Sequence, residues 1–473
     1  MKRLPPVSRW PPDAPTTPEV SALRHKVLFM THDLQGVSEH VDRAGERYIH
    51  LLRELVRVSQ GGERAIQEWV AAELKALGCN VDLFRYSPKA LAPKYEFAEA
   101  AAVDPGERLC VVGRLTGEQR GRRLLLFAHP DAEPVSSTDG WRHAPFAGEV
   151  EGGRLYGWGV ADDLLGVATM IGGLMVVATS GRRPRGTVLL ASTPSKRNVR
   201  GIVAVLERGY AADGAVYLHP AESGRGLRDI KAITSGLLRF RISVAGKPPD
   251  TQEPEQTPFH HLAVNPIDKA WVLVRALQSL NETRAGRVRH AFLEDAVGRS
   301  TNMQVAYLHA GEPDQLSRIS RTCVLAGSVT FPPHEHMESV QSEIARSIEA
   351  AAQADPWLRD HPPQLEWLLG TRGAEVPLEH PLCLAVRRAI RAVTACEPTV
   401  NALHASSDIR HPILHGGIPA VGYGPLAGNF SQAGGTDEWV DLGEYLQAIT
   451  VTGRLILEWC GGEEIGPDPA PAT

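Results

Sequence analysis

The pattern of apolar and polar positions alternates between helical and strand-like periods along most of the chain. Apolar residues of YIHLLRELVRV recur at helical spacing, which predicts a helix within residues 37–59, and a second helix is predicted over residues 63–77. NVDLFRY, residues 80–86, alternates like a strand, and the apolar run Leu124 to Ala128 is typical of a buried strand. Helices that alternate with buried strands indicate an α/β fold.

The pattern continues with two more buried strands and then changes near Gly236. TVLLAS, residues 187–192, and AVYLHP, residues 215–220, are predicted strands with a helix between them. From Gly236 alternating strand-like runs and two helices predict a smaller βαββα unit, residues 236–360.

The α/β pattern then resumes and ends in a helix that begins near Leu442. We therefore expect a discontinuous α/β domain, residues 1–235 and 361–473, into which the smaller unit is inserted. The Pro-rich ends, residues 1–20 and 465–473, are expected to be disordered.

Length and composition restrict the class of protein. A chain of 473 residues exceeds one typical hydrophobic core, so two domains are expected. Hydrophobic and charged contents of 43% and 22% are ordinary for a globular protein. The net charge of -5, without a basic stripe, argues against nucleic-acid and membrane partners. We find no apolar leader and no uncharged apolar run of about eighteen residues, so neither a signal peptide nor a membrane span is expected.

The cysteines are scattered and have no CxxC spacing. This arrangement argues against a disulfide framework and against a structural zinc site. It favours a reducing compartment, and we expect the protein to be cytoplasmic. The six residues are Cys79, Cys110, Cys323, Cys383, Cys396 and Cys460.

Candidate chemistry gathers after the strand at Leu124. His129 and Asp131 follow that strand, and Asp162 and Asp163 follow the Gly-rich turn YGWG. An imidazole and a carboxylate are ligands for zinc, and a second carboxylate behind the imidazole would fix its tautomer. Taken alone, HPD is better explained as a strand end followed by a turn, because short motifs often match by chance.

The wider order of motifs resembles the di-zinc metallopeptidase family of acetylornithine deacetylase, succinyl-diaminopimelate desuccinylase, aminoacylase and carboxypeptidase G. The resemblance covers nearly the whole chain and implies a metallopeptidase-type α/β/α core with an inserted α+β lid and dimerisation domain, and hence a homodimer. It rests on HPD, WxxxPF, GRLYGWGVADD, ERGYAADGAVYLHP, VAGK, SSDIRHPILHGGIPAVGYGP and TDEWVDL.

The resemblance also implies roles for individual residues. In that family two zinc ions share a bridging Asp, which Asp162 matches, and one ion also takes residues that His129 and His219 match. The other ion takes the second Glu of a Glu-Glu pair and a late His, and the first Glu is the general base. A His of the inserted domain stabilises the oxyanion, and an Arg there holds the substrate carboxylate.

This chain departs from the family pattern at most of those positions. The Glu-Glu pair should fall in SKRN, where Lys196 and Arg197 stand. The late His aligns with Gly434, and the His of the inserted domain aligns with Asp250. The motif with the substrate-binding Arg reads Ser328-Val329-Thr330. We therefore expect the chemistry to depend on Asp131 of the retained HPD motif and on three residues at altered positions, Lys196, Arg197 and Asp250.

Two cations in place of two carboxylates would repel a divalent ion by several kcal/mol even at an effective dielectric of about 20. The second metal position is therefore predicted to be lost. His129, Asp162 and His219 could still hold one zinc or other divalent ion. Alternatively, Lys196 or Arg197 folds onto Asp162 as a salt bridge and no metal binds.

Three functions are compatible with this pattern. The first is a diverged, deacylase-like or peptidase-like enzyme that acts on an amide or peptide-like small molecule with a one-metal or metal-free site. The second is a catalytically inactive relative that binds ligands or serves as a scaffold. The third is an ordinary zinc-dependent hydrolase of N-acyl amino acids or dipeptides, whose ligands the alignment misplaces.

Overall fold

The computed structural model describes residues 41, 43–117, 121–132, 135, 137–180, 182–220, 223–402, 407–428 and 435–461. The ends for which disorder is predicted, residues 1–20 and 465–473, lie outside these ranges.

The chain forms helices and strands close to those predicted. As far as the inserted unit the elements are α1 Gly45–Val58, α2 Gly62–Ala76, β1 Asn80–Tyr86, β2 Glu96–Ala98, β3 Arg108–Leu115, β4 Leu124–Ala128, β5 Glu149–Glu151, β6 Arg154–Tyr156, α3 Leu165–Thr179, β7 Val188–Ser192, α4 Gly201–Glu207, β8 Gly214–Leu218, β9 Asp229–Ile230 and β10 Ile233–Thr234.

From Gly236 onward a second group of elements follows. These are β11 Gly236–Ala245, α5 Pro266–Arg287, α6 Ala291–Val297, β12 Asn302–Ala310, β13 Thr322–Phe331, α7 Met337–Ala354, α8 Pro356–Asp360, β14 Gln364–Thr371, β15 Ala374–Glu375, α9 Pro381–Thr394, β16 Thr399–Val400, α10 Arg410–Gly416, β17 Ala420–Tyr423, β18 Trp439–Asp441 and α11 Leu442–Gly461.

The larger unit is built on a six-stranded sheet in the order β1-β3-β7-β4-β8-β17. The strands from β7 to β17 run parallel, whereas β1 and β3 are antiparallel to their neighbours. Alternate residues of β4 enter two different hydrophobic clusters, Leu124 and Leu126 on one face and Leu125 and Phe127 on the other. Helices α1, α2, α3, α9 and α11 cover the first face, and α4 with the start of α10 covers the second. The predicted α/β/α core is confirmed.

Helix α3 lies inside this core. Its apolar residues face the protein on all sides, because the residues from Leu165 to Val177 are all buried. Among the described residues, Val160–Thr179 is long and apolar enough to cross a membrane, but its most apolar window is 100% buried within the protein. It is therefore explained as a core helix.

The smaller unit, which we call the lid, is a five-stranded antiparallel sheet in the order β12-β13-β11-β14-β2. Helices α5 and α7 pack on one face of it. The expected boundary at residue 360 does not hold, because β14 pairs with β11 over Gln364–Thr371 and so belongs to the lid. Its alternating pattern predicts a strand, but a local pattern does not say which sheet the strand joins.

The carboxyl ends of the parallel strands carry the candidate residues to one edge of the larger sheet. His129 follows β4, Ser195 and Lys196 come shortly after β7, and His219 follows β8. This is the edge at which open α/β sheets bind their ligands.

Candidate functional site

Three predicted metal ligands meet at the edge of the larger sheet. Oδ1 of Asp162 lies 2.9 Å from Nε2 of His129 and 3.1 Å from Nε2 of His219. All three side chains are buried, and one ligand atom from each lies within 4.8 Å of the others. The structure thus brings together the group that the sequence predicted.

Asp131 orients this group from behind. Nδ1 of His129 lies 2.9 Å from the carbonyl oxygen of Asp131 and 3.4 Å from its carboxylate. The same carboxylate accepts hydrogen bonds of 2.8 Å from the backbone N–H groups of Ser195 and Lys196. Asp131 therefore holds both the imidazole and the loop after β7 in place.

The loop after β7 places a lysine on the bridging carboxylate. Nζ of Lys196 forms an ion pair with Oδ2 of Asp162, which is the contact that the metal-free alternative of the sequence analysis described. Three residues of this loop, Arg197, Asn198 and Arg200, have positive φ angles of 56°, 57° and 51°. Non-glycine residues in this conformation are strained, and such strain concentrates at functional sites.

The charges of this cluster shift one another's titration. Burial alone would lower the pKa of His129, but Asp131 and Asp162 raise it to about 10. Burial would raise the pKa of Asp162, but His129, His219 and Lys196 hold it well below its usual range. Burial opposes the charge of Lys196 as well, yet Asp162 raises its pKa above the ordinary value. The cluster is thus a mutually stabilised network of charges.

Ser195 links this network to the SSDIR segment. Its hydroxyl donates a 2.6 Å hydrogen bond to Oδ2 of Asp408. The other oxygen of Asp408 lies 3.6 Å from Arg410 and 3.5 Å from His411. Although Asp408 is buried, these partners hold its pKa below the usual range. Asp408 is thus occupied as an acceptor.

The site opens into a cleft of about 490 Å³ between the larger sheet and the lid. From the lid, Leu237, Arg239 and Leu369 line this cleft. The acidic side chains in its wall are Glu96, Asp162 and Asp408, and the basic ones are Lys196, Arg197, Arg200, Arg239 and Arg410. Among the described residues of this wall, basic groups therefore outnumber acidic groups, and the cleft suits an anionic ligand.

Glu96 is the centre of a second charged cluster in this wall. It forms an ion pair with Arg200 and lies 3.5 Å from Arg410 and 3.9 Å from His411. Glu96, His411 and His415 resemble a metal-ligand group by distance alone. Two guanidinium groups already neutralise Glu96, so this group is explained as a structural ion-pair cluster.

Other predicted residues lie apart from the central group. Arg197 is exposed and lines the cleft. Asp250 is exposed and is absent from the cleft lining among the described residues. Gly434, which aligns with the missing late His, lies outside the described residues.

The structure adds two cations that the sequence analysis did not single out. Lys231 is completely buried, and its Nζ lies 2.9 Å from Nδ1 of His219. Arg239 faces the cleft from β11. Alternation within LLRFRISVA could have found Arg239, since it puts Arg239 on the face opposite Leu238 and Phe240. The only signal for Lys231 is a charged residue within the apolar stretch IKAI.

Comparisons with known proteins agree on one family. The family described as Peptidase family M20/M25/M40 matches residues 125–458. The N-formyl-4-amino-5-aminomethyl-2-methylpyrimidine deformylase of Halalkalibacterium halodurans is 23% identical over 454 residues, which cover 92% of this chain and 99% of that protein. The succinyl-diaminopimelate desuccinylase of Methylobacterium radiotolerans is 29% identical over 347 residues, which cover 72% of this chain and 81% of that protein.

Solved structures share the fold. Human carnosine dipeptidase 1 superposes with a TM-score of 0.64 at 15% identity, over 90% of this chain and 98% of that one. A family M20 metallo-carboxypeptidase of Sulfolobus solfataricus superposes with a TM-score of 0.63 at 14% identity, and the match covers 88% of this chain and 98% of that one. At these identities the likeness shows the fold.

Proposed function

This chain belongs to Peptidase family M20/M25/M40, and from that premise we propose that it hydrolyses an amide or peptide-like bond of a small anionic molecule. The observation that carries the proposal is the cleft, in which His129, Asp162 and His219 meet opposite a lid lined by Arg239. The deformylase and desuccinylase relatives are named for the removal of acyl groups, which is the same class of reaction.

We propose that the site takes one divalent ion at most. In the family pattern the residue that Asp162 matches is shared by two ions, and here Oδ2 of Asp162 pairs with Lys196. Lys196 and Arg197 offer cations where that ion needs carboxylate ligands. Among the described residues, the donor set that remains at this position is His129, Asp162 and His219, whose chemistry suits zinc. When bound, such an ion would polarise the scissile carbonyl as a Lewis acid.

The chain's own residues support catalysis as follows. The ammonium of Lys196 lines the cleft and is fixed by Asp162, so it offers a preorganised positive charge to a developing oxyanion. Asp131 keeps the loop of Lys196 in place through two backbone hydrogen bonds. Arg239 faces the cleft from the lid, and no ion pair of the described residues occupies it, so it is positioned to bind an anionic substrate group.

One observation favours a second function, that of a binding protein without turnover. Each acidic side chain among the described residues of the cleft wall already has basic partners, and a general base needs a free lone pair. In this alternative the cleft retains an anionic amide and does not cleave it.

A substrate screen separates the two functions. Purified full-length protein would be assayed with N-formyl, N-acetyl and N-succinyl amino acids and with dipeptides, and binding would be followed by calorimetry. We expect turnover that Lys196→Met abolishes and that Lys247→Met, a change at an exposed lysine of the lid, leaves unchanged. Saturable binding without turnover would instead support the binding protein, and neither binding nor turnover would overturn both.

We also propose a homodimer formed through the lid. Strand β12 is the edge of the lid sheet, and the neighbouring groove of about 710 Å³ is lined by α5 and β12. Trp271 and Tyr307 there are 55% and 53% exposed. An exposed apolar edge strand pairs readily with a second copy of itself. Light scattering of the wild-type protein should give twice the mass of one chain. The double variant Trp271→Asp/Tyr307→Asp should give the mass of a single chain.

The state of the cysteines supports a proposal for the cellular location. All six are free, and five are buried. We propose a cytoplasmic location, where thiols stay reduced.

A further inference from the structure

Lys231 is a buried cation that the function proposed above leaves unused. It is 0% exposed, and its Nζ lies 2.9 Å from Nδ1 of His219. An ammonium group can only donate hydrogen bonds, so Nδ1 must accept. A neutral imidazole that accepts at Nδ1 carries its proton on Nε2. The Nε2–H of His219 then donates to Asp162, 3.1 Å away.

A competing contact exists at the same nitrogen. The carbonyl oxygen of Pro220 lies 2.9 Å from Nδ1 of His219 and would require a proton there. That proton would face the ammonium of Lys231 at 2.9 Å. A donor directed at a full positive charge costs more than a lone pair directed at a neutral carbonyl oxygen. The contact with Lys231 therefore decides the tautomer, and the lone pair that a metal would need at Nε2 is taken by a proton.

Lys196 acts in the same way on the carboxylate. Its ammonium pairs with Oδ2 of Asp162, while Oδ1 faces His129 and His219. A divalent ion among these ligands would have to displace the proton of His219 and lie close to two ammonium groups. Both requirements oppose metal binding.

We propose that this site takes no divalent ion, because Lys196 and Lys231 supply the positive charge that metal ions supply in the family pattern. The proposal rests on the function proposed above in that it concerns the same cleft, and it makes Lys196 the group that polarises the amide. The function proposed above allows at most one divalent ion at this site, and the present proposal lowers that number to zero.

Metal binding is measured directly on the wild-type protein. The full chain, stripped with EDTA and dialysed, would be titrated with Zn²⁺ and with Co²⁺, and bound metal would be counted by mass spectrometry after gel filtration. We expect no stoichiometric zinc and no absorption bands of tetrahedral Co²⁺. One equivalent of zinc that His219→Ala removes would overturn the proposal.

Removal of the buried ammonium of Lys231 should allow the site to bind zinc. Lys231→Met frees Nδ1 of His219 to donate to Pro220, so Nε2 becomes a ligand, and we expect this variant to bind zinc at least tenfold more tightly than the wild type. Lys247→Met, at an exposed lysine, should not change zinc binding. A folded Lys231→Met protein, checked by circular dichroism, that binds no more zinc than the wild type would contradict the role of Lys231.

The tautomer can be read on the wild-type protein, and a variant is needed only to assign the signal. Nitrogen NMR of protein labelled with ¹⁵N-histidine, with His219→Ala to assign the signal, should show the proton of His219 on Nε2. A proton on Nδ1 would overturn the proposal even if Lys231→Met failed to fold.

The outcomes distinguish this proposal from the hydrolase function. Hydrolysis together with stoichiometric zinc at His219 would refute the metal-free site and leave the hydrolase. Absence of both zinc and hydrolysis would support the metal-free site and refute the hydrolase.

Discussion

The ammonium of Lys196 pairs with Oδ2 of Asp162, and this contact joins two loops whose paired residues are 34 positions apart. In the family pattern this carboxylate bridges two metal ions, whereas here a side chain of the same polypeptide neutralises it. Positive charge at this position is therefore permanent and does not depend on metal supply.

Loss of this cation should destabilise the fold. Lys196→Met leaves the buried carboxylate of Asp162 without its ammonium partner, and we expect the free energy of unfolding to fall by about 2–3 kcal/mol, since the side chain of Lys196 is partly exposed. Urea denaturation measures this change. Lys247→Met, at an exposed lysine of the lid, removes the same charge and should change stability by no more than about 0.5 kcal/mol. Equal effects of the two variants would refute the importance of the ion pair.

The lid arginine should govern the affinity for anionic ligands. Arg239→Gln removes a cation that faces the cleft, and a hydrogen bond between charged groups contributes roughly 1.5–3 kcal/mol. We therefore expect about tenfold to a hundredfold weaker binding or a correspondingly higher KM for a carboxylated substrate. Arg241→Gln, two positions along the same strand and paired with Glu366, is the control and should have little effect. Similar losses in both variants would point to a general effect of lid charge.

Acid should destabilise the protein partly through His415. Burial and the nearby His411 lower the pKa of His415 to about 4 from an ordinary value of about 6.5. Between about pH 6.5 and pH 4, His415 is therefore protonated in the unfolded chain but neutral in the folded protein. The free energy of unfolding falls as the pH drops through this range, because protonation favours the unfolded state. The shift corresponds to no more than about 3 kcal/mol over this window, because His415 is partly exposed to solvent, and none of this loss occurs above it.

The test is the stability measured by chemical denaturation at several pH values. His415→Gln should flatten the slope between about pH 6.5 and pH 4, whereas His50→Gln, at an exposed position on α1, should leave it as it is. An unchanged slope in His415→Gln would show that other groups cause the loss.

Close packing behind the site should make one glycine irreplaceable. A Cβ on Gly166 would lie 1.9 Å from the carbonyl oxygen of Leu218, so α3 would have to move away from β8. We expect Gly166→Ala to cost at least about 3 kcal/mol or to prevent folding. Gly286→Ala on α5, where no atom lies within 4 Å, should instead stabilise the helix by about 0.5–1 kcal/mol. Thermal unfolding of both variants measures this contrast, and similar melting temperatures would contradict it.

Much of the fold was predictable because local patterns report burial. The run Leu124 to Ala128 forms β4 with the expected ends, and the last helix begins at Leu442 as predicted. Residues of the two faces of β4 enter separate clusters, which is the reason that its sequence is apolar throughout. The position of His129 after this strand follows from the same pattern.

Sheet membership was not predictable in the same way. QLEWLLGT has the alternation of a strand, but only its pairing with β11 assigns it to the lid. Pairing joins segments far apart in the chain, and the strand's own residues do not encode their partner.

The sequence by itself determined which residues could form the site, since His129, Asp162 and His219 stand at strand ends and turns that local patterns predict. The resemblance to the family implied that Lys196 stands where a carboxylate is expected, and it left open whether that lysine reaches Asp162. Only the tertiary structure decided this contact, placed the buried ammonium of Lys231 against His219, and turned Arg239 toward the cleft. Long flexible side chains take their partners from distant elements, so their contacts depend on how those elements pack and not on the sequence around them.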